Sequence, residues 1–180
     1  AIMTDSEAIA DLYVFRSVPR PAIDELVELA PPQLYPAGAL IFAQGQAASH
    51  ALMVVDGRLE ASVVAGGRNR KLGEIGPGEV LGEMGIFTPG ARRNANVTTI
   101  LPSRCIVITA ELLVDAAENP AVLALETYLL GTLARRIRSS NVALMQAWKE
   151  ASPKAGVIET HAPTTATFLS SLRKLFGGHT

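Results

Sequence analysis

The chain has 180 residues, of which 48% are hydrophobic and 18% charged, with a formal net charge of −1. That length allows one domain with a real core plus an appendage and excludes two full domains. The near-neutral balance excludes a global pull towards nucleic acid, so any DNA contact would need a local basic face. The lone Cys105 excludes an internal disulfide framework and, lying in the β-branched run Arg104 to Ile108, reads as a buried structural thiol.

Residues 5 to 30 read as helical, with Ala8, Leu12 and Phe15, then Ile23, Leu26, Val27 and Ala30 at helical spacing, and Pro19 and Pro21 breaking the two pieces. From Leu34 to Thr109 the chain changes to short β-branched runs punctuated by glycine roughly every eight to twelve residues, the pattern of a small antiparallel barrel or jelly roll. Gly66-Gly67 is expected at a hairpin tip between Leu59–Val64 and Lys71–Ile75, with Arg68, Arg70 and Lys71 forming a solvated edge. A short helix at Glu111 to Leu113 precedes the Asn119-Pro120 boundary of a long one over about 120 to 150. The fold class expected is therefore α+β, with helices flanking an antiparallel β-barrel.

The segment Gly82-Glu83-Met84-Gly85-Ile86-Phe87 followed by Arg93-Asn94-Ala95-Asn96-Val97 carries the chemistry. Gly82 and Gly85 permit close approach of main chain to a ligand. Met84 to Phe87 can form one helical turn whose first N–H groups donate to phosphate oxygens. Arg93, ten positions after Glu83, offers a permanent forked cation for phosphate, while the Glu83 carboxylate accepts from sugar hydroxyls and repels phosphate. A small anionic nucleotide meets these requirements. The competing reading is an ion pair between Glu83 and Arg93 that braces the turn. Arg92 is expected to face solvent or to anchor the loop.

These residues resemble the phosphate-binding cassette of cyclic-nucleotide-binding domains, as in catabolite-activator-type regulators, cyclic-nucleotide-gated channels and regulatory subunits of cyclic-AMP-dependent kinase. The likeness extends through Pro36-Ala37-Gly38, Ile41-Phe42, Gln44-Gly45, Val54 to Gly57 and Gly76 to Glu79, and runs from about Leu12 to Trp148. It implies a β-roll of the jelly-roll kind with a long C-terminal lid helix, and a ligand, cyclic AMP or less readily cyclic GMP, held by Gly82, Glu83, Met84, Gly85, Ile86, Arg93, Asn94 and Ala95. One position departs: Asn94 stands where many members carry Ser or Thr, and its amide can still donate to phosphate.

In the long helix, Leu130, Leu133, Ile137, Ser140, Leu144 and Ala147 follow a three-four spacing that suggests pairing with a second copy beyond the reach of the barrel. The resemblance places Ser140 at the base of the ligand and Asn141 at a second base contact. Equally, Ser140 is a polar residue setting the register of a helix seam. The domain is expected over 5–150, with 151–180 a linker and a short amphipathic tail, Phe168 to Phe176, that docks back, packs on a partner or touches a membrane.

No Cys/His cluster has metal-ligand spacing and no serine sits in a nucleophile elbow, so neither catalysis nor a metal or cofactor is expected. The chain lacks an apolar run of membrane-spanning length and a leader-like start, which makes cytoplasm the expected location. No segment of helix-turn-helix size follows the long helix, so direct DNA binding is not expected. The function expected is a regulatory module that senses a cyclic nucleotide, pairs as a homodimer through the long helix and signals to an unidentified protein partner. The alternatives are an orphan scaffold domain with no nucleotide, or the sensor half of a transcription regulator.

Overall fold

Thr4 opens helix α1 (Asp5–Ala10) with a reciprocal cap: its hydroxyl accepts from the Glu7 N–H, and the Glu7 carboxylate accepts from the Thr4 N–H at 2.7 Å. The structure, a computed structural model, describes residues 3–151. After a 3-10 turn at Tyr13–Phe15 comes α2 (Arg20–Leu29). Pro21 sits in the first turn of α2, where its missing N–H has no helical partner to lose, so it starts that helix rather than breaking one.

The strands are β1 (Gln33–Tyr35), β2 (Leu40–Phe42), β3 (His50–Ala65), β4 (Arg68–Ile75), β5 (Val80–Leu81) and β6 (Asn96–Thr109), with the one-turn helix α3 (Met84–Phe87) between the last two. Every pairing is antiparallel. The two long strands, β3 and β6, pair centrally; β3 also carries β4 and β5, while β6 carries β1 and β2. This is the antiparallel β-roll with flanking helices that the sequence pattern predicts. The hairpin turns at Gly66 and Gly67, whose φ of 59° and 72° suit a two-residue turn with the twist of its flanking strands. Lys71 bridges Glu60 and Glu74 on its exposed face, consistent with a solvated edge.

Period-two alternation divides β3 between two apolar clusters. Ala51, Met53 and Val55 pack beneath the helices with Ile9, Phe15, Ile23, Leu26, Ile106 and Ile108. Leu52 and Val54 point into the roll with Phe42, Leu59, Leu81, Val97 and Cys105. Burial pushes the Cys105 thiol up to about 12, so it stays protonated and inert near neutrality. Beyond Val55 the ladder bulges at Gly57, φ 94°, where a Cβ would lie 2.5 Å from the Pro102 carbonyl oxygen. There the Arg58 N–H donates to Ser103 Oγ, which in turn donates to the Leu101 carbonyl. Arg104 next to it joins Asp56 on β3 to Asp5 on α1, tying the first helix to the roll.

Thr109 caps α4 (Ala110–Asp115) through a bond from the Leu112 N–H. Asn119 then caps α5 (Pro120–Ala151): its Oδ1 accepts from the Ala121 N–H at 2.7 Å, while its Nδ2 donates to Ala22 and Glu25 of α2. Ala121, Val122, Leu125 and Leu129 bury one stripe of α5 against the helix-side core. Leu130, Ile137 and Leu144, all in the seam expected from sequence, are exposed on the single chain. Residues up to 140 form one compact unit and those from 141 group separately. The linker and the Phe168 to Phe176 tail lie outside the described residues.

Candidate functional site

The site grows from the sharp turn after β5. Gly82 has φ 79°, and a Cβ there would fall on the Arg93 guanidinium and lie 2.9 Å from the Phe42 ring and 3.2 Å from the His50 carbonyl oxygen. Glycine is required twice over, by backbone conformation and by space. At Gly85 a Cβ would come within 3.0 Å of Ala48 Cβ, so the close approach there is between the turn and the neighbouring loop.

The return limb, residues 91 to 93, is laced to the loop at 45 to 48. The Gly45 N–H donates to the Arg93 carbonyl at 2.7 Å, the Arg93 N–H to Gln46 at 2.8 Å and the Ala48 N–H to Ala91 at 2.8 Å. Arg92 adds a bond from Nη1 to the Gly45 carbonyl at 2.8 Å, the loop-anchoring role considered for it from sequence. This lacing turns Arg93 inward, where it is 6% exposed. Its guanidinium lies over the Phe42 ring, 3.5 Å from the centroid, and makes a long contact of 3.4 Å with the Gly82 carbonyl. Burial lowers its pKa, though a guanidinium remains charged near neutrality.

Glu83 is fully buried. Its Oε1 accepts a 2.7 Å bond from Arg136 of α5, a residue whose side chain is 57% exposed and reaches in from the surface. Its Oε2 has no hydrogen-bond partner among the described residues. The acid of the turn therefore pairs with the long helix, and the brace between Glu83 and Arg93 considered above does not form. Within the turn, the N–H groups of Gly85 and Ile86 are occupied by the carbonyls of Gly82 and Glu83, which leaves those of Glu83 and Met84 without a partner among the described residues.

These groups surround a cavity of about 350 Å³ whose wall includes Phe42, Gly82, Glu83, Met84, Gly85, Arg93, Asn94, Ala95 and Arg136. Seven of the ten residues singled out from sequence meet there. Ile86 does not: a one-turn helix has an inner side, and Ile86 packs towards the helix-side core. Ser140 is exposed and does not line the cavity, and Asn141 is exposed within the separate unit. Arg136 and Phe42 were missed as site residues. The first stands one helical turn before Ser140 and the second belongs to the Ile41-Phe42 pair already noted, but neither position declares a direction. Among the described residues no cluster of His, Cys, Asp or Glu could hold a metal ion, and no helix is long and apolar enough to cross a membrane.

A buried carboxylate and a buried guanidinium facing one apolar-walled cavity inside an antiparallel roll define a small-ligand-binding module of the cyclic-nucleotide type. Residues 32–119 match the model of the family described as "Cyclic nucleotide-binding domain", so the chain carries a domain of that family. It is similar to the CRP-like cAMP-activated global transcriptional regulator of Mycobacterium tuberculosis, 31% identical over 137 residues, or 75% of this chain and 59% of the relative. The fold is similar to the catabolite activator protein of Thermus thermophilus, with a TM-score of 0.62 and 26% identity over 74% of this chain and 62% of that one. It also resembles the N-terminal domain of a transcriptional regulator from Streptomyces coelicolor A3(2), with a TM-score of 0.57 and 25% identity over 76% and 93% of the two chains. The chain thus spans less than two thirds of the curated relative it matches.

Proposed function

We propose that the chain senses a cyclic nucleotide, cyclic AMP ahead of cyclic GMP, and passes the signal through α5. The observation that carries this reading is the pair of buried, oppositely charged side chains on one cavity, with Glu83 Oε2 left without a donor among the described residues. A buried acceptor left unpaired costs about 1 to 3 kcal/mol, and a ribose hydroxyl entering the cavity would relieve that cost. Arg93 would meet the cyclic phosphate, helped by the unoccupied N–H groups of Glu83 and Met84. Arg136 gives the ligand a grip on α5, because the carboxylate that reads the sugar is already bonded to that helix. Cyclic AMP is preferred because the M. tuberculosis relative is described as cAMP-activated. Calorimetric titration with both nucleotides tests the reading; no heat and no thermal shift with either would end it.

Asn94 favours a second reading, an orphan domain with no nucleotide, since it lines the cavity where a hydroxyl is usual in the family. If its amide donates to the phosphate, Asn94→Ala weakens binding by about 0.5 to 1.5 kcal/mol and Asn94→Ser preserves or improves it. A wild type that binds nothing beside an Asn94→Ser protein that binds cyclic AMP would favour the orphan.

The output is proposed to run through a homodimer. Leu144, 61% exposed, and the exposed Leu130 and Ile137 form a seven-residue repeat that a second α5 would cover. Leu144→Glu is expected to shift the protein to monomer in light scattering, because a carboxylate in such a seam is desolvated beside its symmetry mate. Wild type already monomeric at high concentration would remove the seam from the mechanism. In this reading the protein acts as a binding module rather than a catalyst, at a cytoplasmic location, with Ser140 and Asn141 approaching the base only if ligand moves α5. In this reading a protein partner receives the signal.

A further inference from the structure

We propose that anion binding at Arg93 is coupled to uptake of a proton by His50, so that this chain binds its nucleotide more tightly as pH falls below the ordinary histidine range. The inference rests on the cavity reading above and concerns a residue outside the cavity wall. One aromatic ring connects the guanidinium and the imidazole. The Arg93 guanidinium carbon is 3.5 Å from the Phe42 centroid, and the His50 imidazole meets the same phenyl edge to face, with centroids 5.4 Å apart and planes at 67°. Gly82 closes the group, since its turn brings Arg93, Phe42 and the His50 carbonyl around one point.

Two effects disfavour a proton on His50. Burial is the larger and the positive charge of Arg93 the second, and together they hold the imidazole below its usual value. The other neighbours are uncharged: Ser49 Oγ lies 3.3 Å from Nδ1, Thr109 is opposite on β6, and Gly82 is in the turn before α3. The carboxylate of that turn, Glu83, is held by Arg136. Arg93 is thus the charge that acts on the ring.

A cyclic phosphate on Arg93 would neutralise that charge where the surroundings are weakly polar and fields are poorly screened. The proton affinity of His50 then rises on binding. Linkage fixes the sign: a site that holds protons more tightly in the complex takes protons up on association, and affinity climbs as pH falls. The gain starts as pH enters the range where the bound form protonates. It levels off below the depressed value of the free form, where both forms carry the proton.

Titration of wild type with cyclic AMP in steps from about pH 8 down to about pH 5, in two buffers of different ionisation enthalpy at each step, counts the protons. A fraction of a proton should be taken up, fading to none at about pH 8, and affinity should be about two- to fourfold tighter at the lower end. His50→Gln should abolish the uptake and flatten the pH profile. Binding without uptake, or uptake that survives His50→Gln, overturns the coupling while leaving the cavity reading intact. Absence of any nucleotide binding overturns both. A ligand-free arm keeps the coupling separately testable: by NMR, His50 should titrate at higher pH in Arg93→Gln than in wild type. An unchanged titration there refutes the electrostatic link on its own.

Discussion

Arg93→Ala is expected to fold normally and to lose affinity for cyclic AMP by about 2 to 5 kcal/mol, a factor of roughly thirty to several thousand. The size of the effect follows from burial: Arg93 is 6% exposed and has no carboxylate partner among the described residues, so its removal deprives the phosphate of a cation that water screens poorly. Folding should survive because Arg93 contributes to the core mainly through its contact with Phe42, worth about 1 to 2 kcal/mol by the usual scale of such pairs. Relieving a buried, unpaired cation offsets part of that loss. Calorimetry with cyclic AMP and a melting curve without it separate the two quantities. An unchanged dissociation constant would remove Arg93 from the site, and a large fall in melting temperature would make it a structural residue.

Gly82→Ala is the second large effect. A side chain at φ 79° is strained, and here its Cβ would also press on Phe42, the Arg93 guanidinium and the His50 carbonyl. Left-handed strain and overpacking each cost about 1 to 3 kcal/mol, so a loss of about 2 to 6 kcal/mol in stability is expected. Unlike Arg93→Ala, this change should impair binding and melting together, because the displaced atoms include the guanidinium proposed to hold the phosphate. A variant that melts like wild type would show that the turn adopts a different path in solution.

The contrast between legible and illegible parts of the site has a physical basis. Gly82, Glu83, Met84, Gly85, Arg93, Asn94 and Ala95 lie on two adjoining limbs of one loop, and the residue types themselves, glycine for close approach and a forked cation for phosphate, announce the chemistry. The roll was legible for a similar reason, since glycine punctuation and β-branched runs are local signals. The Arg136 bond to Glu83 spans 53 residues. It depends on the direction in which α5 presents its side chains, and Arg136 continues, one and two heptads on, the stripe that Leu129 and Val122 bury. Three-four periodicity gives the helix and its apolar positions but not the partner each face meets. Ser140, singled out through family likeness, is exposed, whereas the arginine one turn earlier reaches the carboxylate. Pro21 shows the same limit on a smaller scale: proline marks a boundary in either direction, and only its neighbours decide whether a helix ends or begins there.

The shared strand between the two cores raises a question of alignment. From Ala51 to Val55 both sides of β3 are apolar, so sliding the strand by one residue would exchange one oily face for another with little hydrophobic cost. Side-chain patterning, which pins most half-buried strands, cannot pin this one. The task falls to the bulge: a single glycine fits against Pro102, Ser103 Oγ clasps the Arg58 N–H, and Arg104 holds Asp56 alongside. Those contacts form a molecular index mark. The register of the whole central ladder, and with it the station of His50 beside Phe42, is set by four polar residues near the middle of the strand.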